Sequence, residues 1–152
     1  MLNYQKAIVC DAEILTEIAH LSKRFWNYTD EQMSLWKEDL TITENYLSNN
    51  LVYKVYNENK LIGFYALKFD DSENCYEIDH FWLIPENIKK GFGRHIFKNA
   101  VSQLSVLHQT KFFLVAEPNA IGFYEKMNGR KIKSMQSKIP GRTLDIYEFL
   151  IN

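Results

Sequence analysis

The stretch that decides the fold runs Tyr76-Glu77-Ile78-Asp79-His80-Phe81-Trp82-Leu83-Ile84-Pro85 and, three residues later, continues Lys89-Lys90-Gly91-Phe92-Gly93-Arg94. Its first part is rich in aromatic and β-branched residues and stops at a proline, which predicts a strand over Tyr76–Ile84. Its second part opens a segment, Gly91 to His108, in which Phe92, Ile96, Phe97, Ala100, Val101 and Leu104 recur at helical spacing. Next comes Lys111 to Ala116, a continuous apolar run of the kind found in buried parallel strands. Strand, helix and strand form a βαβ unit, which is right-handed with parallel strands. Free N–H groups at the start of such a helix attract anions, and glycines let the backbone close on a phosphate. Lys89, Lys90, Arg94 and Lys98 gather at the same place. The rival phosphate motifs are missing: there is no third glycine for a dinucleotide fingerprint and no Gly-Lys-Ser/Thr for a P-loop.

Working outward, Tyr4 to Val9 reads as a first strand. Asp11 is placed to cap a helix that turns Ile14, Leu15, Ile18 and Leu21 inward. A second helical region follows Thr29 and Asp30, and the spacing of Thr41 and Glu44 divides it in two. Leu51–Tyr56 and Leu61–Phe69 are strands joined by the turn Asn57-Glu58-Asn59-Lys60. After the βαβ unit come a short helix over Asn119–Met127 and a hairpin, Arg130–Lys138 with Thr143–Ile151, around Pro140-Gly141. The class is α+β: a mixed, largely antiparallel sheet with one parallel βαβ unit and flanking helices.

The 152 residues are 46% hydrophobic and 24% charged, which predicts one globular domain over residues 1–152. The net charge of -1 supplies no basic field for nucleic acid or an acidic membrane, so an anionic ligand needs a local cradle. Two cysteines without a CxxC pair, Cys10 and Cys75, predict reduced thiols and no metal centre. No apolar run nears the roughly 20 residues of a membrane span. The start of the chain shows no secretory h-region, so a cytoplasmic location is expected.

Two segments resemble the GNAT superfamily of N-acetyltransferases. Asp79 to Ala100 is similar to its acetyl-CoA-binding motif. Asn119-Ala120-Ile121-Gly122-Phe123-Tyr124-Glu125-Lys126-Met127 resembles the motif that follows it, and the order of elements agrees along nearly the whole chain. The end, Ile139-Pro140-Gly141-Arg142, looks like a bacterial branch of small members without an assigned acceptor. Two departures stand out. Ile88 occupies the position three before the first glycine, where the family usually has Arg or Gln. Glu117 occupies the position seven before the tyrosine, where Asn is frequent, and Asn119 lies two residues on.

The resemblance implies acetyl-CoA as co-substrate, with no metal. Lys89, Lys90, Gly91, Phe92, Gly93 and Arg94 would hold its pyrophosphate. Phe81, Trp82 and Leu83 would pair with the pantetheine arm in a gap between the two parallel strands, with Asn119 alongside. It also implies a primary amine as acceptor, on a small molecule or a peptide, and a fold that often forms homodimers. The reaction needs a base, because an alkyl amine with a pKa of about 10.4 arrives protonated, and an acid for the departing thiolate. Tyr124 is the acid that the resemblance implies. Glu77, fourteen residues before Gly91, stands where one branch of the superfamily carries its base; Asp79, His80 and a water chain are the alternatives. Alternation along the strand puts Glu77, Asp79, Phe81 and Leu83 on one face and His80 and Trp82 on the other, unless a bulge intervenes. Phe25, Trp26, Tyr28 and Trp36 lie in the helical segments that, by the resemblance, cover the acceptor side; each taken singly reads better as a core aromatic, with a pocket wall as the alternative. Arg142 reads as an exposed turn residue, with contact to an acceptor carboxylate as the alternative. The other reading of the whole is a CoA-binding sensor without turnover, which Ile88 favours.

Overall fold

The computed structural model describes residues 1–152 as one seven-stranded sheet in the order β1-β2-β3-β4-β5-β7-β6. The strands are β1 (Leu2–Lys6), β2 (Leu51–Asn57), β3 (Lys60–Asp70), β4 (Cys75–Leu83), β5 (Lys111–Val115), β6 (Arg130–Gln136) and β7 (Thr143–Leu150). Every neighbouring pair is antiparallel except β4–β5. The helices are α1 (Ala12–Arg24), α2 (Asp30–Leu35), α3 (Glu44–Asn49), α4 (Phe92–Val106) and α5 (Ile121–Lys126). No helix is long and apolar enough to cross a membrane.

The sheet separates two apolar cores. On one face α4 and α5 lay Ile96, Phe97, Ala100 and Leu104, with Tyr124, onto Tyr65, Ile78 and Phe112. The helical spacing read from the sequence is thus the buried stripe of α4. On the other face α1, α2 and α3 cover Val52, Phe64 and Ala66 with Leu15, Ile18, Met33, Trp36 and Leu47.

Local chemistry corrects several expectations. Ile14 and Leu21 are exposed, because the stripe of α1 that meets the sheet is narrower and centres on Leu15, Ile18 and Ala19. The Asp11 carboxylate accepts from the Ile8 N–H at 2.8 Å and pairs with Lys54, so it closes the preceding 3₁₀ turn and does not cap α1. Thr43, not Thr41, caps α3 by accepting from the Tyr46 N–H at 3.0 Å, while the Thr41 hydroxyl donates back to the Lys37 carbonyl. The reciprocal capping box belongs to Thr29 and Gln32 at the start of α2. The first strand ends at Lys6, and Val9 opens the 3₁₀ turn.

The correction with most consequence lies in β4. Ala66 pairs with His80 and Leu67 with Ile78, so Asp79 is an extra residue with no partner on β3. Such a bulge moves every following side chain to the other face. Tyr76 and Ile78 before it, and Phe81 and Leu83 after it, all meet the α4 core. His80 and Trp82 turn to the α1–α3 side with Phe64. Strict alternation fails here: Glu77 shares a face with His80 and Trp82, and not with Phe81 and Leu83.

Candidate active site

β4 and β5 pair only at Tyr76↔Phe112 and Glu77↔Phe113. Beyond that point β4 stays with β3 as far as Leu83, while β5 follows β7. The two parallel strands therefore splay, starting at the bulge. The Ile84 N–H is spent on the Ile62 carbonyl at 2.7 Å. Antiparallel alternation then directs the N–H groups of Leu83 and Phe81 away from β3, into the gap. Gly63 opposite makes the close pairing here feasible, because a Cβ on it would stand 2.2 Å from the Trp82 carbonyl oxygen.

Two cavities meet at the splay. The first, about 430 Å³, is a mainly apolar groove lined by Phe81, Trp82, Leu83, Phe123 and Tyr124 and reaching Gly91 and Gly93 at the start of α4. Gly91 sits at φ +85°, a left-handed conformation that turns the chain into the helix. The first turn of α4 has no acidic residue, although such positions favour them. Lys89, with Ile88, Arg94 and Asn119, completes the wall. A larger cavity of about 1020 Å³ continues past α4 and α5, with Arg94 and Lys126 common to both, and adds Lys98 and Arg130. It contains no group suited to acid–base work, since its one carboxylate, Glu148, pairs with Arg130 and Lys111. The groups suited to acid–base work line the smaller spaces.

The second cavity at the splay, about 580 Å³, is polar and lies under the α1–α3 side. Glu77, Asp79 and His80 come from β4, Tyr46 from α3, Lys23 from α1, and Gln136 and Lys138 from the end of the β6 hairpin. Trp82 and Glu117 line both cavities at the splay.

Three side chains there were candidate bases, and the geometry separates them. Trp82 Nε1 donates to His80 Nδ1 at 2.9 Å, which assigns the imidazole proton to Nε2, 3.8 Å from Asp79 Oδ2. Burial holds the His80 pKa below its usual value, with the Asp79 charge opposing it. His80 is thus neutral with its lone pair engaged. Asp79 accepts from the Tyr46 hydroxyl at 2.6 Å, and burial together with that carboxylate holds Tyr46 far above the normal phenol range. Glu77 has neither restraint. Burial, and then the charge of Asp79, push its pKa up to about 7, against the pull of Lys68.

Tyr124 is 7% exposed and packs on Phe97, Phe123 and Phe149. Burial, then the Glu117 carboxylate, raise its pKa and keep the phenol protonated. Glu117 is the hub of the shared wall. Its Oε2 accepts from Lys23 Nζ at 2.6 Å, and its Oε1 from the Tyr28 hydroxyl at 2.6 Å and Asn119 Nδ2 at 2.7 Å. Burial works against its charge, but these donors outweigh it and hold the pKa below the usual carboxylate value.

The acetyltransferase (GNAT) family model matches residues 14–129. The chain belongs to the GNAT acetyltransferase family. No curated protein matches it in sequence. Solved structures with the GNAT fold are similar at low identity. The PaiA N-acetyltransferase of Thermoplasma acidophilum, in complex with coenzyme A, is 21% identical over 99% of both chains with a TM-score of 0.78. A GCN5-related N-acetyltransferase of Rhodopseudomonas palustris is 18% identical over 97% of this chain and 94% of its own, with a TM-score of 0.81. The ribosomal-protein-S18-alanine N-acetyltransferase of Escherichia coli is 13% identical over 99% and 94%, with a TM-score of 0.73.

Within this GNAT fold the residues singled out in the sequence fall into two groups. Phe81, Trp82, Leu83, Lys89, Gly91, Gly93, Arg94, Asn119 and Tyr124 line the groove, and Glu77 lines the cleft. Phe92 packs against the α4 core, and Lys90 is exposed at the loop without lining the groove. Trp36 lines the cleft, Trp26 lines the groove, and Phe25 is exposed. Arg142 is the reverse of an exposed turn residue: its guanidinium lies over the Tyr28 ring. Gly63, Tyr46 and Lys23 were missed. The only signal for Gly63 was a glycine inside a strand pattern, and Tyr46 and Lys23 carried none.

Proposed function

We propose that the chain, as one domain over residues 1–152, transfers an acetyl group from acetyl-CoA to a primary amine of a small molecule or peptide, by direct attack in a ternary complex. The observation that carries this reading is the pair of cavities joined at the splay, with an uncommitted carboxylate of pKa about 7 in one and a protonated phenol in the other. The groove fits the co-substrate. Its apolar walls suit a pantetheine arm, the free N–H groups of Phe81 and Leu83 suit that arm's amides and the thioester carbonyl, and the start of α4 suits a pyrophosphate. The basic cavity beyond, with Arg94, Lys98 and Lys126, suits a further phosphate. The coenzyme A bound to the Thermoplasma PaiA structure agrees with this reading.

The co-substrate supplies an acyl group activated as a thioester. Glu77, half ionised near pH 7 and increasingly so above it, takes a proton from the acceptor ammonium, directly or through water. The amine nitrogen then bonds to the carbonyl carbon and the carbon–sulfur bond breaks. Tyr124 donates its phenolic proton to the departing sulfur, so the products are an amide and free CoA thiol. His80 and Asp79 hold the bulged strand in shape. Thiol release from acetyl-CoA, followed across a panel of amines, amino acids and peptides, tests the reading. Transfer to at least one acceptor is expected. Tight CoA binding with no transfer to any acceptor contradicts it and favours the sensor, whose one support is Ile88 in the groove wall.

A further inference from the structure

Arg142 lies in the β6–β7 connection, directly before β7, and its side chain turns inward over the Tyr28 ring. Its guanidinium carbon lies 5.4 Å from the Tyr28 ring centroid and 6.0 Å from that of Trp36. Nη1 donates to the Tyr28 hydroxyl at 3.3 Å. Nε and Nη2 are shut off from solvent and have no hydrogen-bond partner. These two nitrogens form one edge of the planar guanidinium, with their N–H bonds running side by side. That edge matches the two oxygens of a carboxylate.

No carboxylate pairs with the edge, and Asp39, which acts on Lys23 from the cleft, is paired with Lys138 at 2.6 Å. Lys23 Nζ lies over the same two rings, 4.1 Å from the Trp36 centroid and 4.9 Å from that of Tyr28. Glu117 is the cluster's carboxylate, and both of its oxygens are taken by Lys23, Tyr28 and Asn119. The cluster thus holds two cations and one anion around a pair of aromatic rings. A covered, unpaired guanidinium is costly, and in a folded protein it calls for a specific partner.

The cluster adjoins the acceptor cleft, since Lys23, Trp36 and Glu117 are cleft walls. We propose that Arg142 is the seat of a carboxylate on the acceptor, with Lys23 as the second cation behind it. The acceptors are then amino carboxylates, as free amino acids or peptides. Charge sets their orientation. The ammonium end faces Glu77 on β4, and the carboxylate end faces the Arg142 cluster under the β6–β7 hairpin. The inference rests on the acetyl-transfer reading above and adds the chemical class of the acceptor.

The test compares matched acceptors: L-amino acids with their amides, and short peptides with free or amidated C-termini. The wild-type protein should prefer the carboxylate member by about 10- to 100-fold in kcat/KM, mainly through KM, as expected for hydrogen bonds to a charged group. The amino-acid and peptide arms show which source fits. In Arg142→Gln the ratio should fall to near one, and in Arg142→Lys, which keeps the charge and loses the paired edge, it should fall most of the way. Without acceptor, Arg142→Met should melt close to wild type, because the loss of the Nη1 bond to Tyr28 and of the ring contacts is offset by relief of a covered edge that bonds to nothing. Acetylation of acids and amides at equal rates by the wild type overturns the carboxylate site and leaves the transferase reading standing. A lowered melting temperature in Arg142→Met with the acid preference retained makes Arg142 a brace and also overturns it. No transfer to any acceptor defeats the underlying reading, and the proposal with it.

Discussion

The apolar groove proposed for the co-substrate and the polar cleft proposed for the acceptor share Trp82 and Glu117, yet they are made in different ways. The groove is built largely from two nearby stretches, Phe81–Arg94 and Glu117–Met127. Its proposed contacts are backbone N–H groups, glycine geometry and apolar walls. The cleft gathers side chains from α1, α3, β3, β4, the end of β5 and the β6–β7 hairpin, and its chemistry depends on which hydrogen bonds those side chains complete. A ligand common to a whole family can be held by backbone. A ligand that differs between members has to be held by side chains. The comparison therefore predicts that lesions in the groove impair every acceptor alike, whereas lesions in the cleft discriminate among them.

The largest effect is expected from Tyr124→Phe. The ring packs as before and only the proton donor is lost, so kcat should fall by about 10²–10⁴-fold for every acceptor. Acetyl-CoA affinity by calorimetry should change little, because the phenol acts on charge that develops as the sulfur departs. Near-complete retention of kcat would leave Tyr124 as a packing residue only.

Lys23→Met comes next and tests the shared wall. Lys23 and Glu117 are 11% and 12% exposed, so the variant leaves a carboxylate largely buried beside the splay without its cation. Breaking such a pair from one side costs about 3–5 kcal/mol, measurable by urea unfolding. A loss below about 1 kcal/mol would mean that Tyr28 and Asn119 suffice to hold Glu117.

Gly91→Val bears on the groove alone. A β-branched residue at φ +85° is strained by at least about 1–2 kcal/mol, so the loop should open and acetyl-CoA affinity should drop about tenfold or more. No atom lies within 4 Å of the added Cβ, so the loss would come from backbone geometry and not from collision. Calorimetry giving unchanged affinity in a folded variant would remove the pyrophosphate from this loop.

The same contrast explains what could be read in the sequence. The βαβ unit and the glycine-opened helix follow from local signals: period, a proline stop and a paired glycine; Tyr124 was singled out only by the family resemblance. The order of elements was legible for that reason, and so was the groove. The face of β4 was not, because the Asp79 bulge is created by pairing with β3, and no residue in Glu77-Ile78-Asp79-His80 announces it. Nor was the elimination of His80, which rests on a hydrogen bond from Trp82 that requires both rings on one face. The Arg142 cluster joins residues more than a hundred positions apart, such as Tyr28 and Arg142, and a sequence pattern carries no trace of that contact.

The central claim is that Glu77, set apart from its neighbours by its lack of partners, accepts the proton of the amine. The direct measurement is log(kcat/KM) for one good acceptor between pH 5 and pH 9, in the wild type and in Glu77→Gln. Below a pKa of about 7 Glu77 is protonated and cannot act as a base, so the wild-type plot should bend downward on the acid side near pH 7. The variant should be slower, most of all above pH 7 where the wild-type carboxylate is ionised; the two rates should converge at low pH, and the variant's plot should show no bend there. Two profiles of the same shape, with the bend retained in Glu77→Gln, would contradict the account.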